Sequence, residues 1–253
     1  MTAPNLDERL TFIGAAGAPL SARIRRPEGV ARGSVLMAHC FTCSKDLHTT
    51  TRLSKAFVDA GWITFSFDFT GLGESEGSFT DSSVSTNVGD LRRGAVAMLE
   101  QRIGPCLLLG HSLGGTAAVL AAASLHTVDA VICIASPADV QHIRHLLPDD
   151  AADATEHFPI CVGGRPFNLA PQFLADLDEH DVLAAARTLD RPVLVVEAGD
   201  DAIVGRDQTG ALAAAAGADL AVVEGADHLF TARDHARQLA DIVVEWASRD
   251  ATR

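Results

Sequence analysis

The chain has 253 residues, 47% of them hydrophobic and 21% charged, with a formal net charge of −13. That size and composition fit one globular domain, 1–253, and exclude a disordered or fibrous chain. So acidic a surface repels phosphate backbones and anionic membranes, so neither nucleic acid nor a membrane is expected as a partner.

Two short alternating segments open the pattern, Arg9 to Ile13 and Leu20 to Arg26, separated by the turn Gly14-Ala15-Ala16-Gly17. They read as an antiparallel pair at a sheet edge. Ser34 to Ala38 is a continuous apolar run, the mark of a strand buried on both faces. Thr50 to Ala60 has helical apolar spacing and stops at Gly61. Trp62 to Phe67 predicts a strand, Val88 to Arg102 a helix, Cys106 to Leu109 a strand, Leu113 to Ser124 an Ala-rich helix and Val128 to Ile134 a strand. The last units are Pro192 to Val196, Gln208 to Ala216, Leu220 to Val223 and Thr231 to Ser248, again strand, helix, strand, helix. This alternation predicts an α/β fold with a mostly parallel eight-stranded sheet and helices on both faces. Residues 138–189 break the rhythm: they hold Pro148, Pro159, Pro166 and Pro171, the pair Gly163-Gly164 and a polar run from Pro148 to Glu156. They read as a small cap inserted over the sheet, too short for a core of their own.

The N-terminus from Met1 to Arg9 has no basic stretch followed by an apolar run, so no secretory leader is expected. Cys40, Cys43, Cys106, Cys133 and Cys161 are odd in number and scattered. They predict reduced thiols in the cytoplasm, with Cys106 and Cys133 as small buried hydrophobes.

Gly110-His111-Ser112-Leu113-Gly114 matches Gly-x-Ser-x-Gly, between a predicted buried strand and a predicted helix. A sharp strand-to-helix turn raises the serine hydroxyl above the sheet and leaves a helix N-terminus pointing at it. A serine needs a base, and in this arrangement the chain order is serine, acid, histidine. Of the histidines, His228 alone lies between the last strand and the terminal helix. The acid is expected after Pro192 to Val196, where Asp200 and Asp201 are adjacent; Asp201 fits the pattern Asp-x-x-Val through Val204. Asp139 is the alternative acid, and Asp227 reads as a loop-bonding residue. The loop His39-Cys40-Phe41-Thr42 follows the strand ending at Ala38, so the N–H groups of Phe41 and Leu113 are the expected oxyanion donors. Asp68, before Gly71-Leu72-Gly73, is expected to bond its own loop rather than to act in catalysis.

His39 to Asp46, Phe67 to Ser75, Gly110 to Gly115, Gly225 to Leu229 and Gly163-Gly164-Arg165-Pro166-Phe167 together resemble the α/β-hydrolase module fused to OsmC-type peroxidase domains, and more distantly the feruloyl and cinnamoyl esterases. The resemblance covers nearly the whole chain. Cys40 and Cys43 stand where the esterases carry glycines in His-Gly-Phe-Thr-Gly, and no second domain is expected within residues 1–253. The resemblance implies an α/β-hydrolase fold, esterase chemistry and a functional link to an OsmC-type peroxidase.

The expected reaction is hydrolysis of a carboxylic ester of a small or medium acyl or aromatic acid, through an acyl-enzyme on Ser112. No cofactor and no metal are expected. Phe41 with Phe158, Ile160, Val162, Phe167, Leu169 and Phe173 form the expected acyl pocket, although the residues from the insertion could equally pack it onto the sheet. A thioester, an amide or a carbon–carbon bond would suit the same triad, and a binding protein on this scaffold would need no reaction at all. Cys40-x-x-Cys43 is accounted for by its place in the oxyanion loop, with a redox role as the alternative.

Overall fold

The computed structural model describes residues 7–104, 106–148, 151 and 154–250. Met1 to Leu6, most of the stretch read for a leader, lie outside the described residues, as do four positions of the polar run from Pro148 to Glu156 and the terminus at Arg253.

Among the described residues, ten strands and seven α-helices follow one another. They are β1 (Asp7–Ile13), β2 (Pro19–Arg25), β3 (Gly33–Ala38), α1 (His48–Asp59), β4 (Trp62–Phe67), α2 (Val84–Glu100), β5 (Leu107–His111), α3 (Leu113–Ala122), β6 (Ala130–Ile134), β7 (Phe158–Val162), β8 (Arg165–Leu169), α4 (Gln172–Leu177), α5 (Val182–Arg187), β9 (Val193–Ala198), α6 (Arg206–Ala216), β10 (Asp219–Val223) and α7 (Arg233–Asp250). Eight strands make one sheet in the order β1-β2-β4-β3-β5-β6-β9-β10, with β7 and β8 forming a separate hairpin. β1 and β2 pair antiparallel, as do β2 and β4, and every other neighbouring pair of the large sheet is parallel. The eight-stranded α/β architecture expected from the alternation is the one observed.

Strand periodicity divides the core into two layers. Val35 and Met37 of β3, Leu107 and Leu109 of β5 and Leu194 and Val196 of β9 face α1 and α7, where Phe57, Trp62, Leu239 and Val243 join them. Their neighbours Leu36, Leu108 and Val195 face the other side, against Leu91, Ala118, Ala122 and Leu212 of α2, α3 and α6. Both faces are therefore apolar, which is why the central strands read as continuous hydrophobic runs.

Two local expectations change. Cys106 lies outside β5 and is half-buried, because parallel pairing with β3 begins at Leu107, opposite Val35. Between β6 and β9 the chain forms a 3-10 segment (Val140–Leu146), the β7–β8 hairpin and the short helices α4 and α5. The hairpin was masked in the sequence by Pro159 and Pro166, which a solvent-exposed two-stranded ribbon tolerates. Among the described residues no helix is long and apolar enough to cross a membrane.

Candidate active site

The site is built at the carboxyl ends of β3, β5, β9 and β10, the edge where open α/β sheets place ligands. Ser112 sits between β5 and α3 with φ 55° and ψ −128°, a left-handed conformation that costs energy for any residue with a side chain. Its N–H donates to Ile134 O at 2.8 Å, which ties the turn to β6. The flanking glycines are steric necessities. A Cβ at Gly110 would stand 2.3 Å from Gly114 O, one at Gly114 would stand 2.3 Å from His39 O, and one at Gly115 would stand 1.9 Å from Ser136 Oγ.

His228 Nδ1–H donates to Asp201 Oδ2 at 2.8 Å. The other oxygen of Asp201 accepts from the N–H groups of Ile203 (2.8 Å) and Val204 (3.0 Å), the physical content of the Asp-x-x-Val spacing. Burial pushes the Asp201 carboxyl up, but the His228 bond and charge and the two backbone donors outweigh it and hold it below its ordinary value. With Nδ1 committed to Asp201, His228 Nε2 is the ring atom left to accept a proton. Ser112 and His228 line one cavity, and no hydrogen bond joins them among the described residues. The other acids stand elsewhere: Asp139 caps the 3-10 segment through Gln141 N–H, and Asp227 binds the N–H groups of Leu229 and Thr231.

His111 supports His228 from behind. The two rings lie 5.2 Å apart, and His111 Nε2–H donates to His228 O at 2.8 Å, while Nδ1 is buried with no hydrogen-bond partner among the described residues. Burial, with the His228 ring adding to it, pushes the pKa of His111 down to about 3. The unfolded chain therefore takes up this proton near 6.5 and the folded chain only near 3, so stability is full above that window and falls as pH drops through it. The slope from this group is about 1.4 kcal/mol per pH unit. Urea midpoints of His111→Gln should depend less steeply on pH than those of the unsubstituted protein between about pH 6 and 4. Equal slopes would contradict the buried neutral imidazole.

The loop after β3 is braced from several sides. His39 Nδ1–H donates to Cys40 O at 2.8 Å and Nε2 accepts Phe69 N–H at 3.2 Å, which sets the tautomer. Burial lowers its pKa. Thr42 has φ 61°, and its carbonyl accepts from the Arg165 guanidinium across the cavity. The N–H groups of Phe41 and Leu113 donate to no backbone acceptor among the described residues.

The cysteine reading needs correction. Cys40 and Cys43 form a disulfide. The tight turn that brings Cys43 N–H to Cys40 O at 3.1 Å also brings the two Cα atoms to 5.3 Å, within bonding reach. The expectation of five reduced thiols overlooked that a turn at this spacing juxtaposes the side chains. Cys106, Cys133 and Cys161 are free.

The cavity over Ser112 has a volume of about 400 Å³. Phe41 and Val162 line it, but Phe158, Ile160, Phe167, Leu169 and Phe173 do not. Phe158, Ile160, Leu169 and Phe173 are buried in the core, and the Phe167 ring lies 4.9 Å from that of Phe79 at a tilt of 53°. Phe158, Ile160, Phe167 and Leu169 share one face of the hairpin with Val162 and Arg165, so position along the ribbon makes the difference: the pair next to the Gly163-Gly164 turn reaches the cavity, while the pairs nearer the base pack on the body. The walls come instead from Val140, Ile143 and Leu146, with Leu47, Pro137, Ile203, Val204 and Leu229. Val140, Ile143 and Leu146 recur every third residue in the segment that follows β6, the signal of a 3-10 turn with one apolar face. No group of three or more metal-binding side chains occurs among the described residues.

Residues 35–242 match the model of the alpha/beta hydrolase family. No curated protein sequence matches significantly. Among solved structures, the esterase domain of a Rhodothermus marinus protein is 35% identical, with 97% of this chain and 99% of that one covered and a TM-score of 0.81. The ferulic acid-bound Est1E from Butyrivibrio proteoclasticus is 18% identical, with 96% and 100% covered and a TM-score of 0.81. An esterase of Pyrococcus furiosus is 15% identical, with 97% and 93% covered and a TM-score of 0.74.

Proposed function

The chain belongs to the alpha/beta hydrolase family, and from that premise we propose that it is a serine hydrolase acting on carboxylic esters of small or medium acyl or aromatic acids. The observation that carries the reading is the strained Ser112 opening into the same cavity as a histidine whose far nitrogen is held by Asp201. Ser112 Oγ attacks the acyl carbonyl while His228 Nε2 takes its proton. Asp201 keeps His228 in the required tautomer and stabilises the imidazolium. The oxyanion is held by the N–H groups of Phe41 and Leu113, the second at the N-terminus of α3. His228 then protonates the leaving alcohol, and water, deprotonated by the same ring, releases the acid.

Residues 138–189 act in this reading as the cap that shapes the acyl site. Apolar walls from Val140, Ile143 and Leu146 favour a carbon chain over acetate. Across p-nitrophenyl esters from acetate to decanoate, kcat/KM should rise from acetate, peak at a medium chain and fall at decanoate. A maximum at acetate would contradict an apolar acyl site of this size. No turnover of any member, in folded protein, would overturn the ester reading.

A further inference from the structure

Among the described residues, one arginine lines this cavity without an ion-pair partner. Arg165, at the start of β8, lines the cavity, and no Asp or Glu is found among its described lining residues. That is a sharp departure for a chain with 33 acidic and 20 basic side chains. Arg165 is exposed, takes part in no ion pair among the described residues, and donates only to Thr42 O there. Its guanidinium also lies 5.3 Å from the centroid of the Phe167 ring. These two contacts hold the plane in place and leave further N–H groups of the five-donor fork unused. A cation fixed in advance loses little freedom on pairing, and a planar fork fits a carboxylate in two-point contact.

We propose that the cavity takes esters bearing a second, anionic group, a carboxylate, which Arg165 pairs with while Ser112 engages the ester carbonyl. The inference rests on the ester-hydrolase reading and adds the substrate class. Arg165 is then a specificity-determining residue; the ester bond breaks as described above, and the carboxylate is unchanged by the reaction. The remaining lining is apolar around Val140, Ile143 and Leu146, so the substrate is bifunctional: apolar in its middle and charged at one end.

The test compares mono-p-nitrophenyl adipate with p-nitrophenyl hexanoate, which have the same chain length and differ by the terminal carboxylate. A second arm compares 4-carboxyphenyl hexanoate with phenyl hexanoate, placing the charge on the alcohol side. The readout is the charged-to-neutral ratio of kcat/KM in each arm. For the unsubstituted protein, the ratio in the arm that matches the natural substrate should fall as salt is raised. Arg165→Gln should lower that ratio about ten-fold, and Arg165→Lys should lie between. Which arm responds tells whether the acid or the alcohol carries the charge. If Arg165→Gln slows charged and neutral esters equally, or leaves both ratios and their salt dependence unchanged, Arg165 is only a brace for the Thr42 loop and the inference is overturned. Absence of hydrolysis of every one of these esters would remove the ester reading, and the inference with it. Turnover of the neutral esters with Arg165-independent ratios overturns the inference alone.

Discussion

Ser112→Ala is expected to lower kcat for an activated ester by on the order of 10⁶-fold while leaving the protein folded. The substitution removes one oxygen from a side chain that makes no hydrogen bond needed by the fold; the turn is held instead by Ser112 N–H on Ile134 O and by the close approach of Gly110, Gly114 and Gly115. The loss is therefore chemical. It should also be non-additive, because serine, histidine and aspartate act as one device. His228→Ala alone should cost about as much as Ser112→Ala, and the double substitution little more. Asp201→Asn should cost about 10⁴-fold, since an amide at this position turns the wrong tautomer of His228 toward Ser112. Steady-state kinetics on one ester checks all three, with circular dichroism reporting the fold. Additive losses would contradict a shared triad.

The largest expected effect on stability lies beside the site, at Lys45. Its side chain is fully buried, with Nζ donating to Asp68 Oδ2 at 2.7 Å and to Glu74 Oε2 at 2.7 Å. Burial pushes the ammonium pKa down, but the bonds to Asp68 and Glu74 more than offset it and raise it above its ordinary value. Asp68 also accepts the N–H groups of Lys45 (2.6 Å) and Glu74 (2.9 Å), so one carboxylate joins the loop after β3 to the loop after β4. Lys45→Met strands that buried charge, and the cost should be about 3–5 kcal/mol in urea unfolding. Lys45→Met combined with Asp68→Asn should recover part of the loss, because the amide keeps an acceptor and carries no charge. A double variant as unstable as Lys45→Met would contradict the stranded-charge argument.

The sheet was legible because both of its faces are covered, so its central strands could not be anything but continuous apolar runs. The juxtaposition of Asp201 with His228, and the turn at Ser112, were legible for another reason. Each of the three lies in the turn or loop after a parallel strand, and short spacing patterns in the chain encode the turns that present them. The position of Val204 singles out Asp201 over Asp200, and the Val204 N–H is one of the two that close on the carboxylate. The pocket was not legible in the same way. Phe158, Ile160, Phe167, Leu169 and Phe173 have the composition of an acyl site, but which part of the segment reaches over Ser112 and which part packs on the body is a matter of tertiary placement that no local pattern encodes. The disulfide was hidden because Cys40 and Cys43 occupy a loop position that another explanation already accounted for, while their juxtaposition depends on the turn geometry.

The central claim is that Ser112 is the nucleophile. Its most direct test is labelling of the folded protein with a fluorophosphonate, followed by peptide mass spectrometry. One phosphonyl group per chain is expected, on the peptide holding Gly110 to Gly115, with no labelling of Ser112→Ala. An unlabelled folded protein, or a label at another residue that persists in Ser112→Ala, would contradict it.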